Sequence, residues 1–362
     1  MQDLNLNSII TNDNGSLKLP SWNHNIRFKR VTQTNTVKLA IGSKFLDGSS
    51  RICLSNASKQ LKIFDSALNN LVSSFEFPHI VKLYGQILDS SFVYLCTYDG
   101  TLKIYKADFD VELVSLKLHN RVINHIEFCK KGSDSWYVVS TAVNKTLNIS
   151  ELKLSDAEHQ LVPLSSITIP SNCTSLKCIM WDTIQPSIFL TRNDCSQLVC
   201  YTLNDTGSLS LAYNIALNTA QFSTYSFEIR SLCFTKAPDG TPFLVAATSH
   251  IPYMRLILIR PPMDEPLNGV KTYYDRIVKN FATSIPQTFL SQPIMRYLPA
   301  TDGMIVGIDD GVYAFDLQKA ESWKLDFHSA TVKDIDVAAS RMVILFSDKC
   351  VEVWDTDSPV DH

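Results

Sequence analysis

The chain has 362 residues, 45% apolar and 19% charged, and its 33 basic against 36 acidic residues leave a net charge of −3 at pH 7. So even a balance excludes a global attraction to nucleic acid or to an anionic membrane. The length fits two domains or one large repeat fold, and no segment approaches the ~20 consecutive apolar residues of a membrane-spanning helix.

In chain order, the opening MQDLNLNSIITNDNG has no basic region followed by an apolar core, so a secretory signal is not expected. A soluble intracellular protein of the nucleus or cytoplasm is the expectation. Its nine cysteines should then be reduced, most of them inside apolar runs, as Cys53 is in RICLS and Cys96 in VYLCTY. The triplets at Asn56, Asn144, Asn148, Asn172 and Asn204 carry no glycosylation meaning in that setting. Lys29-Arg30, with Arg27 beside it, and Lys130-Lys131 are isolated basic pairs. They read as solvated loop edges, short of the contiguous stripe with aromatic or amide readers that nucleic acid asks for.

Seven apolar strand segments recur: LKIFD (61–65), LKIYK (102–106), LNISEL (147–152), LVCYTL (198–203), RLILIR (255–260), VYAFDL (312–317) and CVEVWD (350–355). Ahead of several of them lies a second strand signal, VINHIEF, SLKCIMW, IRSLCF and VKDIDV, alternating apolar with polar at the period of a half-buried strand. Short polar turns such as YDGT at Asp99 and SDKC at Asp348 supply hairpin chemistry, and Asp309-Asp310 reads the same way.

Catalytic and metal patterns are poor. Cys173 with Cys178 and Cys195 with Cys200 form two CxxxxC pairs, looser than a zinc CxxC, and Cys178 and Cys200 fall inside predicted strands. The eight histidines are dispersed, and the 12 glycines form no phosphate loop, nucleophile elbow or dinucleotide fingerprint. The expectation is a protein that is not an enzyme and has no cofactor, metal site or small-molecule substrate.

Between Arg260 and Met295 lies one stretch longer than an ordinary connection. Within it Val270, Tyr273, Tyr274, Ile277, Val278 and Phe281 follow a helical template, with Lys271, Asp275 and Lys279 on the other face. Two readings stand: an outer strand with its apolar face covered, or a helical insertion (260–293) offering Tyr273, Tyr274, Ile277 and Phe281 to a partner.

The last unit runs from HSATV at His328 through VILFS, the Asp348-Lys349 turn and a strand ending in Trp354-Asp355. With the seven segments spaced 38 to 57 residues apart, against ~40 to 45 for a four-stranded blade, the chain resembles a divergent WD40-repeat protein over nearly its whole length. The resemblance implies an all-β fold, a single seven-bladed β-propeller over residues 1–362 with 260–293 as an insertion in blade five. It implies a hydrogen-bonded blade network of His328, Asp348 and Trp354, with His79 and Asp99 as the counterpart in the second unit, where Tyr105 replaces Trp. His119 is a third histidine at a blade entry. Because the chain ends near the third strand of blade seven, the outer strand must come from the N-terminus, and Ser8 to Leu19 is the expected donor.

Members of that family dock partners on the loops entering each first strand and joining the second to the third, which here carry Tyr98, Asn120, Arg121, Arg192 and Asn193. The implied function is a non-enzymatic scaffold, one subunit of a chromatin, RNA-processing or ribosome-assembly complex. An adaptor that recognises a short degron or modified peptide, for example in a ubiquitin ligase, is the alternative and would need a distinctive pocket at the central channel. A propeller-type hydrolase would need convergent acids or histidines in several blades, and the sequence lacks them.

Overall fold

The computed structural model describes residues 17–357 apart from 36, 88–90, 108, 156–157, 182–184, 205–206, 219–226 and 263–270. Its strands form seven sheets, each a run of four antiparallel strands, one of which carries an added parallel strand. The first strands of the sheets are Ala40–Leu46, Val81–Gln86, Ile123–Lys130, Cys173–Met180, Ile229–Lys236, Ile294–Leu298 and Val332–Ala338. Each touches the first strand of the next sheet, and the last touches the first, so they form a closed inner ring. The result is a seven-bladed β-propeller, as expected. All seven segments expected as third strands occupy that position, from Gln60–Asp65 in blade one to Val351–Asp357 in blade seven.

A closed ring leaves the inner edge of each blade with backbone donors that no neighbouring strand pairs, and such donors need partners. Side chains of the preceding blade supply several. Ser175 accepts the Leu232 amide at 3.0 Å and Ser231 the Met295 amide at 3.3 Å. Across the join of blades seven and one, Asp334 accepts the Ser43 amide at 3.0 Å and Asp336 the Phe45 amide at 2.9 Å. The ammonium of Lys44 sits 2.8 Å from Asp334, which offsets the charge brought into the ring.

Among the described residues the buried apolar side chains form seven clusters, one between each pair of adjacent blades. Phe243, Leu256, Phe281, Met304 and Phe315 fill the space between blades five and six, and Ile52, Leu54, Val343 and Val353 that between seven and one. At roughly 1.5–3 kcal/mol per fully buried large side chain, these clusters are the main term holding blade to blade.

Ring closure does use an N-terminal strand, but a later one than expected. Arg27–Thr34 pairs antiparallel with Val351–Asp357 as the outer strand of blade seven. Of the expected donor, residues 8–16 lie outside the described residues, and Leu17 to Leu19 form no strand. Instead the Leu19 amide donates to the Gln318 side chain at 2.6 Å and Leu19 packs on the cluster between blades five and six. The Lys29-Arg30 pair is therefore on a strand. Arg30 lies over Trp354 at 5.9 Å and reaches the buried Glu352 at 3.4 Å.

The long stretch after Arg260 contains no helix among its described residues. Ile277–Pro286 is the outer strand of blade five, and Lys271–Tyr273 adds a fifth, parallel strand to blade four beside Leu209–Ala216. The helical periodicity misleads because the chain crosses from one blade to the next between Tyr273 and Ile277, so successive apolar residues belong to different sheets. No helix of the described residues is long and apolar enough to cross a membrane.

Candidate functional site

Antiparallel strands running out from the ring put every loop between second and third strands, and every connection to the next blade, on one rim. In blade seven that rim holds the expected network, in altered form. His328 Nε2 and Asp348 Oδ2 are 2.6 Å apart, and the Cys350 amide donates to the other Asp348 oxygen at 3.0 Å. Burial acts to raise the Asp348 pKa, but the bonds from His328 and Cys350 outweigh it and the net shift is downward.

Trp354 does not join that pair. Its indole donates to Glu352 at 2.9 Å, and the same carboxylate, fully buried, accepts the His328 amide at 3.2 Å. Phe327 stacks on the indole at 4.1 Å between centroids. Glu352 is thus the hub, and the sequence reading missed it.

In blade two His79 stands 3.9 Å from Asp99, beyond hydrogen-bond reach, and Asp99 instead accepts from Thr97 at 2.6 Å and Thr101 at 2.8 Å. Blade three builds a network with neither Asp nor Trp: His119 meets Thr146 at 2.6 Å and Ser140 at 2.9 Å, and Thr146 donates to Asn144 at 2.8 Å. Burial pushes the His119 pKa down to about 4, so the ring is neutral near pH 7. These groups are bonded to one another, which suits a structural role.

The residues expected to meet partners are spread over both rims. Tyr98 and Arg121 are exposed at the junction of blades two and three. A Cβ on Gly100, whose φ is +89°, would overlap the His119 carbonyl and lie 2.6 Å from that of Arg121, so this junction requires glycine. Arg192 is on blade four and folds back on Asp194 at 3.3 Å and the Cys195 sulfur at 3.3 Å. On the opposite rim Tyr274 is exposed, while Tyr273, Ile277 and Phe281 are buried. That corrects the expectation for these three: Tyr273 packs edge-on to Tyr213 at 5.5 Å, and Phe281 to Phe315 at 5.1 Å, so neither ring can face a partner.

What the sequence reading did not single out is an apolar cluster on the first rim, over blade five. Phe289 and Leu290 are 75% and 76% exposed, and Ile251 and Tyr253 on the adjoining hairpin 62% and 54%. The backbone beneath these side chains is tied by hydrogen bonds. Arg230, at the start of blade five, donates to the carbonyls of Thr288 at 3.2 Å, Phe289 at 2.7 Å and Ser291 at 2.8 Å. Gln287 bonds the Thr248 and His250 carbonyls, and Ser291 bonds Asp309. A cleft of about 290 Å³ opens beside the cluster, and Asp194, Glu228, Ile251 and Phe289 are among its lining residues. The available signal was an apolar pair, Phe289-Leu290, inside the otherwise polar, proline-bounded segment PQTFLSQP.

A larger depression, about 620 Å³, lies on the circumference between the outer strands of blades five and six. Its Ser284 and Ser322 side chains are bonded to each other at 2.9 Å. Cys173 and Cys200 are buried, with pKa values raised to about 12 by burial, Cys178 lies against Cys129 of the neighbouring blade, and among the described residues no group of three or more His, Cys, Asp or Glu is placed to hold a metal.

The family model described as "UCP007778, beta-propeller domain" matches residues 3–355. The chain is also similar to the uncharacterized protein YGR117C of Saccharomyces cerevisiae (strain ATCC 204508 / S288c). The two are 36% identical over 364 residues, covering 91% of this chain and 76% of the relative.

Proposed function

The chain belongs to the UCP007778 beta-propeller family, and on that footing we propose that it works as a non-enzymatic protein-interaction scaffold, a subunit of a larger nuclear or cytoplasmic assembly. The observation that carries this reading is the cluster of Ile251, Tyr253, Phe289 and Leu290, exposed on loops that Arg230 and Gln287 hold in place. Large apolar side chains gathered on a rigid rim lose solvent contact at little entropic cost when a partner covers them, and such clusters mark interaction sites. We further read the propeller as a divergent WD40 type, supported by the His328 to Asp348 bond and the Trp354 indole below it.

The test is affinity purification of the tagged full chain from its native cells, comparing wild type with the Phe289→Ser/Leu290→Ser double variant. Both proteins are first checked for the same melting temperature. A defined partner set recovered by the wild type and lost by the variant is the expected result. Recovery of the same set by both proteins removes this surface from the reading, and recovery of none by either defeats the scaffold.

A further inference from the structure

The arginines at the blade-five cleft are turned inward and its carboxylates outward. Arg192, 15% exposed, is held by Asp194 and Cys195, and Arg230, 6% exposed, is committed to three loop carbonyls with its Nε 3.8 Å from Glu228. Asp194 and Glu228 are 44% and 43% exposed. A visiting group therefore meets both the Asp194 and Glu228 carboxylates and the Ile251 and Phe289 side chains, which line the same cleft. The space, about 290 Å³, accommodates one or two side chains rather than the edge of a folded domain.

We propose that this cleft receives a short peptide segment of a partner in which a bulky apolar residue stands beside a Lys or Arg. The apolar side chain lies against Phe289 and Ile251, and the cation meets the Asp194 and Glu228 carboxylates. This rests on the docking reading of the same surface and adds the chemistry of the occupant. The apolar and the charged lining contribute differently. Apolar burial supplies most of the affinity, whereas exposed charges add little attraction of their own but select for the complementary partner and speed its arrival.

The experiment is selection of a displayed library of random 16-residue peptides on the immobilised full chain. The enriched peptides are then titrated, by fluorescence anisotropy, against wild type, Asp194→Asn/Glu228→Gln and Phe289→Ser/Leu290→Ser, all matched for melting temperature. Enriched peptides should pair a bulky apolar residue with a Lys or Arg within two positions. The charge variant should bind them about tenfold more weakly with a flatter salt dependence, as expected for loss of electrostatic complementarity, and the apolar variant should not bind. If peptides bind through Phe289 and Leu290 with no basic preference, or bind the charge variant equally well, this inference is overturned and the docking reading stands. If no peptide depends on Phe289 and Leu290, this inference falls, while the docking reading is decided by the purification described above. Sedimentation of the wild type as a dimer that the apolar variant abolishes would make the occupant a second copy of this chain, and would equally overturn the inference.

Discussion

The guanidinium of Arg230 donates to the main-chain carbonyl of Phe289 at 2.7 Å, while the ring of Phe289 itself is 75% exposed. The first strand of blade five thus fixes the backbone under an apolar side chain it never covers. Arg230→Ala removes the donors to three carbonyls, and charge-assisted hydrogen bonds of this kind are worth about 1.5–3 kcal/mol. The expected outcome is a stability loss of about that size together with faster chymotryptic cleavage after Phe289 and Leu290. Arg230→Lys, with one compact ammonium for a planar fork, should restore only part of the protection. Cleavage unchanged in both variants would mean the loop is held by something else.

Glu352 ties three parts of blade seven together: the Trp354 indole, the His328 amide and, across the closing strand, Arg30. It is fully buried. Removing a buried acceptor from bonded donors strands those donors, so Glu352→Ala should cost on the order of 3 kcal/mol. Asp348→Ala, at a half-exposed pair, should cost about 1 kcal/mol or less. Urea denaturation orders the two, and a larger loss for Asp348 would place the hub where the family resemblance puts it.

Burial pushes the pKa of His119, His125 and His250 down to about 4 in the folded chain, against ~6.5 when unfolded. A depressed folded pKa means the contribution is complete above pH ~6.5 and is lost as pH falls toward 4, because the unfolded chain takes up the proton first. For His119 the limit is on the order of 3 kcal/mol. The lowered pKa values of Asp99 and Asp348 add to the loss at the acid end, while Asp336, raised by burial, acts with the opposite sign. Denaturation midpoints at pH 7.5, 6 and 5 should fall steadily, and His119→Gln, which keeps a hydrogen-bonding side chain, should flatten the curve. A midpoint independent of pH over that range would contradict the buried neutral histidine.

The third strands were legible in the sequence because each is an apolar run bounded by turn residues, and the propeller buries such runs on both faces between blades. Arg27–Thr34 was not, since RFKRVTQT hides its strand alternation behind three basic residues, and its packing on Trp354 is a contact across more than three hundred residues. Glu352 escaped because a lone acid in VEVWD takes the alternation expected of a solvent-facing position, and only ring closure buries it. Tyr273 and Phe281 were assigned to one face of a helix when they belong to clusters on either side of blade five. Phe289 and Leu290 could be read as apolar residues in a loop, yet nothing local reveals that Arg230, some sixty residues earlier, would hold that loop rigid.

The N-terminal segment meets the ring through Trp22, whose amide donates to the fully buried Asp316 at 3.1 Å and whose indole packs edge-on to Trp323 at 5.2 Å. Gly303 lies directly beneath that indole: a Cβ there would overlap the ring at Cε3 and sit 3.0 Å from Cζ3. Gly303→Ala should therefore cost about 1–3 kcal/mol, the usual penalty for forcing an atom into a filled site. Trp22→Ala, which empties the site, should cost about 3–5 kcal/mol. The two substitutions address one space, so the added methyl finds room once the indole is gone, and the double variant should be more stable than the sum of the single losses predicts by about 1 kcal/mol or more. A double-mutant cycle by urea denaturation reads this directly. Strict additivity would show that Gly303 is needed for its backbone alone, and that the indole does not depend on the space this glycine leaves.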